Sequence, residues 1–232
     1  MNFTVSAINE RAIAIGFGDV ISNETTHRIT GLHSALKHSP FDGFEGSVPA
    51  YTTLTIYYDF TILHNSTILQ GNTAIEKITW WIDRLNAGLY NEATSKEILI
   101  PVCYDEKYGT DLNAVATQTG LSIDEIVHLH HSAAYTVAMI GFTPGFPYLS
   151  GLSPTLMVKR KSQPANVAAG AVGIAGAQTG IYPQQSPGGW HIIGRTPLVL
   201  FDYHDQEPAY FKTGTTIRFS PITKAEFESL IS

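Results

Sequence analysis

The chain has 232 residues, 44% of them apolar and 15% charged, and carries a formal charge of −6 at neutral pH. Such a composition belongs to a folded protein with room for one large domain or two small ones, not to a disordered chain. The acidic balance argues against nucleic acid as the general partner, no apolar run reaches the ~20 residues of a membrane helix, and a single cysteine, Cys103, excludes a disulfide framework or a cysteine metal site.

In chain order, the first hundred residues alternate with the period of a half-buried strand. Phe3, Val5 and Ala7 share one face, and Ile13, Ile15 and Phe17 share another. Leu54, Ile56, Tyr58, Phe60 and Ile62 make the longest run, and Ile98, Ile100 and Val102 a further one. One polar face per strand implies a sheet covered on a single side. Two helices are predicted to cover it. The first spans residues 24–37, with Ile29, Leu32 and Leu36 on one side. The second spans residues 74–87, with Ile75, Ile78, Ile82, Leu85 and Leu89 at helical spacing. Thr73 and Glu76 pair as a capping box, and Gly88 is the expected stop. Trp80 and Trp81 flank that apolar stripe and read as packing. These elements make an α+β unit over residues 1–100.

Residues 101–232 read as a second domain. Asp111 is placed to cap a helix that ends at Gly120, and Ser122 with Glu125 opens another through Ile126, Val127 and His130. Short apolar runs follow at 135–142, 171–175, 190–194, 198–201 and 217–219, separated by glycine and proline turns. Closely spaced strands of this kind predict a β-barrel or sandwich. A short helix is expected over 223–231.

Between Glu125 and Asp202 the chain has no aspartate or glutamate, while Lys159, Arg160, Lys161 and Arg195 lie within that stretch. Three motifs sit in it. Gly141-Phe142-Thr143-Pro144-Gly145-Phe146-Pro147-Tyr148-Leu149 is a rigid loop that displays Phe146 and Tyr148. Gly173-Ile174-Ala175-Gly176-Ala177-Gln178-Thr179-Gly180-Ile181-Tyr182-Pro183 offers neutral donors and acceptors at Gln178 and Thr179 beside the open backbone of Gly180, with Tyr182 beyond. Ser186-Pro187-Gly188-Gly189-Trp190-His191-Ile192-Ile193-Gly194-Arg195-Thr196 offers close backbone approach at Gly188 and Gly189, an aromatic at Trp190 and a bidentate cation at Arg195. Each loop alone reads equally well as a barrel turn. Together, in one acid-free region, they describe a surface suited to an anion.

The segments GFTPGFPYLSGL, AGAVGIAGAQTGIYP and SPGGWHIIGRTPL resemble the signature segments of the PxpB/KipI family, and the likeness extends over nearly the whole chain. The resemblance implies a ferredoxin-like α+β domain followed by a cyclophilin-like β-barrel. It implies the B subunit of a prokaryotic ATP-dependent 5-oxoprolinase, working with a PxpC-type subunit of related barrel and a PxpA-type subunit; the lone cysteine and the lack of a signal-peptide pattern point to the cytoplasm. That complex opens the lactam of 5-oxo-L-proline to L-glutamate, with ATP and Mg²⁺. Two other roles accompany the family: inhibition of a sporulation histidine kinase, and a carboxyltransferase-like part in urea or allophanate breakdown. The chain departs from the family pattern at Gln163-Pro164 and at Val167-Ala168-Ala169-Gly170-Ala171-Val172, where Pro-Arg and Val-Pro-Ala-Gly-Ser-Val are usual; Lys161 is placed to compensate for the lost cation. Lys159-Arg160 keeps the arginine of an earlier Pro-Arg pair.

For the chemistry, Arg160 and Arg195 are the expected anion-stabilising groups. His130 matches a family position and is the expected acid/base or substrate contact, with a role anchoring helix to barrel as the alternative. His128 and His131 have helical spacing but no carboxylate beside them, so no metal site is expected. Ser186 and His191 lack the acid that a hydrolase triad requires.

Overall fold

A computed structural model describes residues 3–85 and 97–231. The chain divides into two compact units between Thr94 and Ser95.

In the first unit the strands are β1 (Thr4–Asn9), β2 (Ala12–Gly16), β3 (Phe44–Pro49) and β4 (Thr53–Tyr58), and the helices α1 (Asn23–His38), α2 (Phe60–Asn65) and α3 (Ala74–Ile82). The sheet is antiparallel in the order β1-β2-β4-β3. Strands β2 and β3, joined through α1, leave a place between them that β4 fills; this is the split β-α-β arrangement of a ferredoxin-like domain. Ile29, Leu32 and Leu36 of α1 are buried with Ile13, Ile15, Leu54 and Ile56 of the sheet. The alternating run expected through Ile62 stops at Tyr58. Asp59 accepts the amide of Ile62 and caps α2, which leaves Phe60 and Ile62 exposed. Lys77 is buried because its ammonium donates to the carbonyls of Leu63, His64 and Ser66 at the end of α2. The Thr73–Glu76 capping box forms. Trp80 and Trp81 pack on this core. Ala87, Gly88 and Leu89, expected at the end of α3, lie outside the described residues.

The second unit is a closed barrel. Its strands are β5 (Ile98–Cys103), β6 (Ala134–Ile140), β7 (Pro147–Ser150), β9 (Ala171–Ala175), β10 (Gln178–Ile181), β12 (His191–Arg195) and β13 (Thr216–Ile222), in the order β10-β7-β6-β13-β5-β12-β9. A ribbon of β8 (Ala165–Val167) and β11 (Ser186–Gly188) stands beside it. Strand β5 pairs in parallel with β13, so the Ile98 run belongs to the barrel and the boundary expected at residue 100 falls inside it. Tyr135, Val137, Leu149, Val172, Ile174, Ile193, Ile217 and Phe219 fill the interior. Helix α4 (Leu112–Thr119) ends at left-handed Gly120, and α5 (Ile123–Ser132) opens with the Ser122–Glu125 capping box. Helix α6 (Lys224–Leu230) follows β13. The 198–201 run forms no strand beyond a single bridge between Phe201 and Ala209. Among the described residues no helix is long and apolar enough to cross a membrane.

Candidate functional site

The hairpin of β9 and β10 sorts the second motif into two faces. Thr179 and Ile174 turn into the barrel, while Gly173, Ala175, Gln178 and Gly180 form the outer side. Aromatic rings from the first and third motifs lie on this outer face. A Cβ on Gly180 would come within 3.0 Å of the Phe146 ring, and one on Gly173 within 3.2 Å of the Trp190 side chain. Glycine at these positions seats the rings. Phe146 lies 4.7 Å from Tyr148, 5.1 Å from Tyr182 and 5.5 Å from Trp190, centroid to centroid. The three motifs therefore meet at one place.

They meet as a second core rather than as a set of exposed anchors. Phe146, Tyr182 and Trp190 are all buried, and Tyr148 is half-buried. The exposed ring is Phe142, 62% accessible, which rests edge-on against Phe146 and Tyr182. Its φ of 70° makes it the one non-glycine residue in the left-handed region among those described. Gly188 is required sterically, since a Cβ there would stand 2.4 Å from the Tyr182 hydroxyl. A Cβ on Gly189 would meet only an ordinary contact, 3.8 Å from the Lys161 carbonyl, so this glycine is not required sterically and contributes its carbonyl instead.

Beside these rings run Lys159, Arg160 and Lys161. His191 Nε2 donates to the Lys159 carbonyl at 3.0 Å, and the Lys161 amide donates to the Gly189 carbonyl at 2.8 Å. The Lys161 ammonium pairs with Asp111. It is thus engaged, not the spare cation expected. Between the two pinned residues Arg160 is exposed; the next residue, Lys161, is held by Gly189, whose neighbour Gly188 lies against the Tyr182 hydroxyl, so the arginine sits on the segment that borders the phenols. Burial raises both phenol pKa values; Arg160 opposes the rise at Tyr148, and at Tyr182 the Trp190 backbone opposes it ahead of Arg160, so both phenols stay protonated at neutral pH.

The sequence pattern makes Asp111 a side-chain cap of α4. It stands at that position, but its carboxylate makes no cap bond. It accepts the Ile192 amide at 2.7 Å, while the Asp111 amide donates to the Ile192 carbonyl at 2.9 Å. An acid from outside the acid-free stretch is thereby delivered into it. No local signal marks this, because a residue at a helix start satisfies the capping pattern whichever way its side chain turns.

Two expected groups occupy other places. His130 is fully buried, stacked 4.4 Å from Phe219. Thr179 Oγ1 donates to the Gly173 carbonyl, so at the 2.9 Å contact it accepts from His130 Nε2; Nδ1 in turn accepts from the Tyr104 hydroxyl at 2.8 Å. Burial lowers its pKa to about 3. Both ring nitrogens are used inside the barrel, which is the anchoring arrangement, and Thr179 is equally enclosed. Arg195 lies at the far end of β12 from Trp190, roughly 16 Å along the strand at the usual rise. Its Nε donates to the Ala169 carbonyl at 2.8 Å, and its guanidinium lies 5.8 Å from the Phe227 ring of α6. The two arginines are not brought together around one ligand.

Four buried polar atoms in the motifs have no partner: Thr143 Oγ1, Gln178 Nε2, Ser186 Oγ and His191 Nδ1. Each of the three motifs holds at least one. An unsatisfied buried group costs about 1–3 kcal/mol, so these atoms are the available contacts for a ligand or an ordered water. Ser186 and His191 make no bond to each other, and no three His, Cys, Asp or Glu among the described residues gather to hold a metal ion.

Residues 3–211 match the carboxyltransferase domain family, subdomain C and D. A Bacillus subtilis protein named as the B subunit of 5-oxoprolinase is 33% identical over 99% of this chain and 97% of its own length. Among solved structures, TTHA0988 aligns at 35% identity with a TM-score of 0.77, over 91% of this chain but 40% of that one, so this chain spans less than half of TTHA0988. The urea amidolyase of K. lactis aligns at 18% identity with a TM-score of 0.70, over 99% of this chain and 15% of that one, a likeness of fold. On the family match and the near full-length identity, the chain belongs to the PxpB/KipI family of carboxyltransferase-like proteins.

Proposed function

We propose that this chain is the B subunit of a multi-subunit 5-oxoprolinase that opens 5-oxo-L-proline to L-glutamate with cleavage of ATP. The observation that carries the reading is the 33% identity to a protein named as that subunit, sustained over almost the full length of both chains. A PxpC-type subunit and a PxpA-type subunit complete the assembly in this reading, in the cytoplasm.

The substrate is an unactivated lactam with a carboxylate. ATP, when bound, would supply a phosphoryl group to the amide oxygen, making the lactam carbon a better electrophile for water, with the ring nitrogen as the group that leaves that carbon. The residues present suit the anionic side of this chemistry: Arg160 for a carboxylate or phosphate, with the protonated phenols of Tyr148 and Tyr182 beside it. Gln178 Nε2 and Thr143 Oγ1 are donors without partners in the same cluster of motifs. The carboxylates for Mg²⁺ are assigned to the partner chains, and the single chain is inactive.

Co-expression with PxpC-type and PxpA-type subunits, followed by an ATP-dependent glutamate-release assay, tests this. Glutamate release by the complex and none by the purified chain is the expected result. A stable complex that releases no glutamate overturns it.

A further inference from the structure

Arg160 is an exposed side chain on a segment without regular secondary structure, a setting that usually leaves a cation mobile. Its two neighbours are fixed from three directions. On one side the Lys159 carbonyl accepts from His191, a strand residue only 6% exposed. On the other, the Lys161 amide is held by Gly189, and its ammonium by Asp111. Asp111 is itself locked to β12 by two bonds with Ile192: its carboxylate accepts the Ile192 amide, and its own amide donates to the Ile192 carbonyl. Further back, Val158 bridges Gly176 at the turn between β9 and β10, and the Gly176 amide donates to the Val158 carbonyl at 2.7 Å. The same strand that carries His191 and Ile192 begins directly after Trp190, which walls the aromatic cluster. The position of the arginine is therefore tied to the position of the rings.

We propose that Asp111, through Lys161, and His191, through the Lys159 carbonyl, are positioning residues that present Arg160 to an oxyanion beside the Tyr148 and Tyr182 phenols. Neither touches the ligand. They replace the freedom of a surface loop with a fixed backbone, so that less entropy is lost when the guanidinium engages. The oxyanion is the carboxylate of the substrate or a phosphate of the nucleotide; both suit one guanidinium and two phenols. The carboxylate arm rests on the 5-oxoprolinase reading, and the backbone arm of the test does not.

The backbone arm uses the full chain alone. The heteronuclear NOE of the Arg160 amide should match that of the barrel strands in the natural protein, and should fall in Asp111→Asn and in Lys161→Met. Lys161→Arg, which keeps the ion pair, should restore it. Asp111→Asn keeps an oxygen for the Ile192 amide and loses only the charge. A mobile Arg160 in the natural protein, or one unmoved by either variant, overturns the clamp.

The ligand arm uses the assembled complex. Asp111→Asn should raise KM for 5-oxoproline about tenfold with kcat within twofold, and the effect should vanish in an Arg160→Ala background. If KM for ATP moves instead, the oxyanion is the phosphate. Equal effects with and without Arg160 show a merely structural residue and overturn the proposal. A complex with no turnover refutes the assigned activity, while the NOE measurements still decide the clamp.

Discussion

The carboxylate of Asp111 pairs with Lys161 and accepts the amide of Ile192, so that one acid serves a stretch of sequence that has none. The pair is partly buried, with side-chain exposures of 20% for Lys161 and 17% for Asp111. Removing the acid strands a shielded ammonium and a backbone donor together. Asp111→Ala should therefore destabilise the barrel by about 2–4 kcal/mol, read from urea unfolding. A change below about 0.5 kcal/mol would show that the pair is as weak as a surface one.

Acid should weaken the fold through two histidines. Burial lowers His130 to about 3, with His131 adding to the shift, and His33 to about 4, with Lys37 adding. Below the ordinary value of 6.5 the unfolded chain takes up protons that the native chain refuses. Stability is thus complete above about pH 6.5 and falls as the pH drops, the His33 part ending near 4 and the His130 part, roughly 1.4 kcal/mol per pH unit, near 3. His130→Phe should flatten that slope, at a cost of about 1–3 kcal/mol at neutral pH because Tyr104 and Thr179 lose their partner. An unchanged slope in the variant would refute this assignment.

Arg195→Ala should act on stability and not on substrate. The lost bond to Ala169 and the ring contact with Phe227 predict a loss of about 1–2 kcal/mol. KM for 5-oxoproline in the assembled complex should stay within twofold. A tenfold rise would restore Arg195 to the ligand.

Trp190→Ala removes a buried ring that touches Phe146 and Tyr148. The cavity should cost about 3–5 kcal/mol, and the variant chain should melt far earlier than the natural one. Unaltered melting would mean that the ring is not part of the core.

Phe142 should give two effects of opposite sign. Glycine accepts its φ of 70° without strain, so Phe142→Gly should stabilise the isolated chain by about 1 kcal/mol. The same change removes an exposed ring on a braced loop, the kind of group that anchors a partner. Assembly with the other subunits should weaken, as read by size-exclusion chromatography of the mixture. Full-strength assembly of the variant would place the interface elsewhere.

Local pattern alone determined the elements whose signals are local. The Thr73 and Ser122 caps, the left-handed stop at Gly120 and the apolar faces of α1 and α3 all follow from interactions within one or two helical turns. The three motifs also announced themselves, because their glycines and prolines are needed wherever the rings land. Tertiary structure decided what each side chain does there. Period-2 alternation cannot tell a sheet edge from a barrel stave, so β5 changed units when its parallel partner β13 arrived from the other end of the chain. Nor can it tell a ring seated on Gly173 or Gly180 from one facing water. Trp190 and Phe146 went inside and Phe142 stayed out. Asp111 and Lys161, like His130 and Thr179, become neighbours only when the barrel closes, since pairing between distant positions is written in no window of sequence that contains just one of them.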